Sequence, residues 1–293
     1  MKEQNYVLFA DTDMDVTPEV TDRYNAKLIS MPYTMDEKEI YPYQSFDKFD
    51  EHAFYERLRK GAKPKTSALA PADYINYFEP VFKDGKDVLY VHFSAKMSGT
   101  FNALALAEKE LKEKYPDRTI YQVDTKGITV LAYNIFCEIG DLYINGATVE
   151  EILKWAETEI DHFTVYFFAN DLSFFRRSGR VKALAAVMGN LLGIRPIIYM
   201  DAGGMMTSID KARGLSATID KIMNYVKTLQ DDIKNHRLII AHSDAMENVE
   251  LVKAKLIAEF GDDLNIEIVP VNPTAGCHCG PDCIGVCFHS TKR

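Results

Sequence analysis

Apolar residues along this chain follow two alternating periods. Nearly unbroken apolar runs at 6–10, 26–33, 87–93, 118–123, 163–169, 193–200, 237–242 and 266–271 predict β-strands. Between them, apolar positions three and four apart predict amphipathic helices at 103–111, over roughly 127–145, and at 249–260. Shorter helices are expected after Thr17-Pro18, within 45–61, from Pro71, and from Thr148, where Thr148 and Glu151 have the spacing of a capping box. Asp36 to Glu39 reads as a turn, and Asp201-Ala202-Gly203-Gly204 as a hairpin turn into a strand at 205–209. Strand and helix alternate through the first half, which predicts a doubly wound, mainly parallel sheet. Near residue 162 the texture becomes aromatic and β-branched. The expected organisation is therefore two-domain α/β: an N-terminal domain at 1–162 and a C-terminal domain with a mixed sheet at 163–293.

Length and composition narrow the class. The chain has 293 residues, 47% apolar and 26% charged, with a formal charge of −9, the profile of a soluble globular protein. That charge, with no concentrated basic run, argues against a general nucleic-acid binder. No apolar run approaches the roughly 18 residues that span a bilayer, and the amino-terminal run of four is too short for a signal-peptide core. A cytoplasmic location is expected, and four of the five cysteines, Cys277, Cys279, Cys283 and Cys287, are then no disulfide framework.

Several stretches carry candidate chemistry. The strand at 87–93 breaks at Ser98-Gly99-Thr100 before a helix, so backbone N–H groups and the positive end of a helix dipole converge with two hydroxyls. Such a junction holds an anion or simply caps a helix. Thr66 and Ser67 form a similar pair before Pro71. Asp11, Asp13 and Asp15 alternate after the first strand but lack the Gly and closing Glu of a calcium loop; they read as turn residues, with Asp11 also bordering the crevice at a strand end. Arg176, Arg177 and Arg180 crowd three guanidiniums into five residues, either a solvated helix end or an anion or partner contact. The four clustered thiols have spacings of one, three and three, unlike a zinc knuckle; they read as small core residues, or as a metal site if 284–288 is helical and brings Cys283 and Cys287 onto one face.

Taken in order, Asp11-Thr12, Pro64-Lys65-Thr66-Ser67, Ser98-Gly99-Thr100, Asp124-Thr125, Asp171-Leu172, Ser178-Gly179-Arg180-Val181, Leu192-Gly193-Ile194-Arg195-Pro196, Asp210-Lys211-Ala212-Arg213 and His278-Cys279-Gly280-Pro281 resemble the DegV family over essentially the whole chain. The resemblance implies a non-catalytic carrier without a cofactor. It would bind a long-chain fatty acid between its domains, at an interdomain site to which the 272–293 tail returns, and present the carboxylate to a separate ATP-dependent kinase for acyl-phosphate formation. Residue by residue, it places the carboxylate on Thr66, Ser98 and His278, with Ser67, Gly99, Thr100, Asp11 and Gly280 supporting. Arg177, Arg180, Lys211 and Arg213 are candidates for docking the kinase, and transient action at a membrane surface is compatible with the role. The chain departs from the family at Cys279, where a Thr is usual, and in its cysteine cluster. Two other readings stand beside the carrier: a serine-dependent acyl hydrolase using Ser98 and His278, and a metal-binding regulatory module using the cysteines.

Overall fold

The computed structural model describes residues 4–179 and 193–293. Its first half opens with β1 (Tyr6–Asp11), α1 (Pro18–Arg23) and β2 (Lys27–Ile29), followed by β3 (Tyr33–Met35) and β4 (Lys38–Ile40). Next come α2 (Glu51–Arg59), β5 (Lys65–Thr66), α3 (Pro71–Lys83), β6 (Asp87–His92), α4 (Thr100–Lys114) and β7 (Ile120–Asp124), then α5 (Val130–Ile144) and α6 (Val149–Glu159). The strands β2, β1, β6 and β7 pair in that order, all parallel. Helices cover such a sheet on both faces, so β6 is buried at five successive positions from Val88 to His92. The capping box at Thr148 forms as its spacing predicts.

The run at 26–33 is not one strand. Pro32 has no N–H to give a ladder, and the backbone before it is held by side chains. Ser30 N donates to the Tyr77 hydroxyl at 3.1 Å and Met31 N to Thr12 Oγ1 at 2.9 Å. The chain therefore leaves the parallel sheet after Ile29 and re-pairs at Tyr33 in a small antiparallel sheet of order β4-β3-β5.

The second half begins with β8 (Phe163–Phe168) and α7 (Ser173–Arg177) and resumes with β9 (Ile194–Met200) and β10 (Met206–Arg213). It continues through α8 (Leu215–Leu229), β11 (Leu238–His242), α9 (Met246–Phe260), β12 (Ile266–Pro270), α10 (Pro273–Cys279) and β13 (Ile284–His289). Six strands in the order β10-β9-β8-β13-β11-β12 make a mixed sheet in which only β11 and β12 are parallel. The hairpin at 201–204 forms, but its second strand runs on to Arg213 past an irregularity between Ser208 and Asp210, so Lys211 and Arg213 lie on an edge strand. The apolar stretch at 183–192, with Arg180, lies outside the described residues.

The tail differs most from expectation. Residues 284–289 form a strand in the interior of the sheet, so the helical arrangement of Cys283 and Cys287 does not occur. Four residues along a strand span roughly 13 Å, against about 6 Å on a helix. One buried apolar core runs continuously from Tyr6 to Cys287 and takes in side chains from the parallel and the mixed sheet.

Candidate functional site

Where the two halves meet, they enclose a cavity of about 180 Å³. One wall is the β5 loop with Thr66 and Ser67, beside the β6–α4 junction with Met97, Ser98, Gly99 and Thr100. The opposite wall is Thr274, Ala275, His278 and Cys279 of α10. Val165 and Phe167 of β8, Met206, Ala241 and Gly285 complete an interior that is mostly hydrocarbon.

Residues 212 positions apart meet here: Thr66 Oγ1 lies 3.1 Å from His278 Nε2, the direction of donation depending on the tautomer. The meeting has local causes. Asn272 caps α10 by accepting from Ala275 N at 2.9 Å, and the helix stops where Gly280 takes φ +72°. This short helix therefore carries His278 on its last turn, toward β5. On the other side, Ser98 Oγ accepts from Thr100 N, the first N–H of α4, at 3.2 Å, from one residue before the N-cap Gly99. Helix α4 runs 15 residues from Thr100, and its first N–H groups lack intrahelical acceptors. Hydroxyls, an imidazole and a helix N-terminus beside hydrocarbon can hold a carboxylate whose tail is apolar.

The supporting residues divide. Ser67 and Gly99 line the cavity, as does Thr100. Thr100's hydroxyl is engaged behind the wall, accepting from Leu69 N at 3.2 Å and lying 3.0 Å from the Tyr74 hydroxyl. Asp11 is fully buried beneath the wall, where the Tyr90 hydroxyl donates to it at 2.9 Å, and burial pushes its carboxyl up to about 7. Gly280 packs against the Phe174 ring rather than lining the cavity. Arg177 stacks on that same ring at 4.3 Å, bonds Ser173 Oγ at 3.1 Å and lies in a separate surface groove. Lys211 and Arg213 are exposed.

Each described thiol of the tail is buried, and three donate to a carbonyl: Cys277 to Pro273, Cys279 to Gly280 and Cys283 to Cys279. Burial pushes the Cys287 thiol up to about 12 and the Cys277 thiol further. Among the described residues no three His, Cys, Asp or Glu side chains are grouped to hold a metal ion. Cys279 and Cys283 instead contribute to the cavity wall.

Sequence reasoning missed other wall residues. Thr129 has φ +51°, rare for a β-branched residue, and donates its N–H to Asp13 O at 2.9 Å while both residues face the cavity. The only trace of this in the sequence is the Asp124-Thr125 motif shortly before α5.

An α/β protein of one parallel, one mixed and one small antiparallel sheet, with an apolar cavity walled by hydroxyls and an imidazole, is the class that this geometry defines. The chain matches the family described as "Uncharacterised protein, DegV family" over residues 6–291, and it belongs to that family. A DegV domain-containing protein of Clostridium perfringens is 28% identical over 289 residues, covering 97% of each chain. Among solved structures, a fatty-acid-binding DegV family protein from Thermus thermophilus superposes with a TM-score of 0.86 at 21% identity, over 98% of this chain and 100% of that one. A stearic acid-binding protein from Eubacterium ventriosum reaches 0.83 at 18% identity, over 97% and 98% respectively. DegV of Bacillus subtilis, a fatty acid binding protein, reaches 0.82 at 21% identity, over 99% of this chain and 100% of that one. Among the described residues, no helix is long and apolar enough to cross a membrane.

Proposed function

We propose that this protein is a cytoplasmic fatty-acid carrier of two units, 1–162 and 163–293. It holds one long-chain acid with the carboxylate on Thr66, Ser98 and His278, and it presents that carboxylate to a separate ATP-dependent kinase. The observation that carries the reading is the 3.1 Å approach of Thr66 to His278 on the wall of a cavity that Ser98 also lines. Each methylene buried there contributes about 0.8 kcal/mol, and charge-assisted hydrogen bonds offset desolvation of the head group. The likeness to fatty-acid-binding structures supports the ligand class. The kinase, the absence of catalysis and docking through Arg177, Arg180, Lys211 and Arg213 rest on family resemblance and on the exposure of the described members of that set.

Organic extraction and mass spectrometry of purified protein should recover about one fatty acid per chain. Ser98→Ala and Thr66→Val should each weaken retention at least about tenfold, the worth of a hydrogen bond to a charged group. Recovery of none, with no uptake of added oleate, would sink the carrier. Turnover of acyl esters with covalent capture by a serine-directed phosphonate would install the hydrolase reading in its place.

A further inference from the structure

A second cavity, about 690 Å³ by the same measure, lies across the Asp11–Asp15 turn from the first. Asp13 and Ala275 face the lipid cavity, whereas Asp15 and Asn272 face this one. Its chemistry is of a different kind: five carboxylates, Asp15, Glu19, Asp50, Glu51 and Glu267, against Lys48 and His52.

Most of these charges are already answered. Glu267 accepts from the Tyr133 hydroxyl at 2.5 Å and lies 3.5 Å from Arg237, and Asp50 caps α2 through Ala53 N. His52 lies 3.1 Å from Asp244, and Lys48 stands exposed near Glu19. Two oxygens are not answered. Asp15 is 4% exposed; its Oδ1 accepts from Asn272 N and Nδ2 at 2.8 and 2.7 Å, while Oδ2, also buried, has no partner. Glu51 Oε2 is buried and unpartnered in the same cavity. A buried carboxylate oxygen without a donor is costly unless it holds a proton or meets a cation, and Asp15, whose carboxyl burial pushes up to about 7, can give up its proton to a cation near neutral pH.

The rest of the lining says which kind. Tyr43, Phe49 and Tyr133 place aromatic rings around the acids, and Tyr43 holds a φ of +61° that is rare for an aromatic residue. Aromatic faces with carboxylates suit alkylammonium groups, whose charge meets the acids and whose methylenes meet the rings. A metal ion needs several ligands at one point, and no such group exists among the described residues.

We propose that this cavity binds an organic polyammonium ion, a diamine or polyamine, with ammonium groups on Asp15 and Glu51 and its methylene stem against Tyr43, Phe49 and Tyr133. The site is independent of the fatty-acid reading. Calorimetric titration of spermidine into the full chain at 0.15 M salt should show saturable binding of one molecule per chain. Asp15→Asn and Glu51→Gln should each weaken it at least about tenfold, and Glu51→Gln should leave fatty-acid content unchanged and the chain at least as stable to heat. If Asp15→Asn does not fold, Glu51→Gln decides alone. Unsaturable binding, equal binding by the variants, or displacement of spermidine by equimolar Mg²⁺ would overturn the proposal, the last in favour of a metal site.

Discussion

Asp15 shows how one buried side chain sets a pH dependence. Burial pushes its carboxyl up to about 7, against hydrogen bonds from Asn272 that pull it down. The folded chain therefore keeps a proton that the unfolded chain, with an ordinary carboxyl near pH 4, releases. Raising the pH from about 4 to about 7 then favours unfolding, and above about 7 the contribution is flat. In urea titrations Asp15→Asn should become more stable relative to the parent across that window, by an amount on the order of a few kcal/mol. A constant difference between the two proteins would refute the assignment. His92, His242 and His289, each pulled below the usual imidazole value chiefly by burial, act in the opposite sense as pH falls through about 6.5. They are common to both proteins and cancel in the difference.

At the scale of elements, α10 and its terminator govern the site. A Cβ on Gly280 would sit 2.4 Å from the Phe174 ring at a φ of +72°, whereas Gly85, at φ +75°, has nothing within 4 Å. Gly85→Ala should therefore lose only the conformational cost, about 1 kcal/mol, and Gly280→Ala should lose about 2 kcal/mol more. Fatty-acid retention should fall only for Gly280→Ala, because the clash displaces the helix bearing His278. Equal losses of stability would mean that the ring simply moves aside. The elements differed in how plainly the sequence announced them. Helices α4 and α5 were legible because their faces repeat at helical spacing, and β1, β6 and β8 because buried parallel or central strands are nearly all apolar. Strand β13 was hidden, since Ile-Gly-Val-Cys-Phe-His mixes small, polar and aromatic residues, and its thiols suggested chemistry before structure. The Thr66–His278 approach has no sequence spacing at all and was legible only through the ordered family motifs.

Across the whole molecule, the halves are joined by polar contacts as well as by the shared core. Tyr55 donates to Val271 O at 2.9 Å, Thr274 to Met31 O at 2.9 Å and Ser94 to Gly204 O at 2.7 Å. Arg293 extends the same bracing: its half-buried guanidinium donates to Phe163 O at 2.9 Å, Lys126 O at 3.1 Å and Ile160 O at 2.7 Å, so one side chain ties the end of β7 to the start of β8. Arg293→Ala should cost about 2 to 3 kcal/mol in thermal or denaturant unfolding. Arg293→Lys should recover only part of it, because an ammonium cannot reproduce the fork. Full recovery by lysine would show that charge alone matters there.

The position of β13 also orders events during synthesis. Every strand of the parallel sheet has been made by residue 124, but the mixed sheet lacks the strand between β8 and β11 until residues 284–289 emerge. Until then β8 and β11 each present an unpaired apolar edge. The second half of the nascent chain is thus open along its middle while the first half can already close, and the wall bearing His278 is laid down only just before that gap is filled.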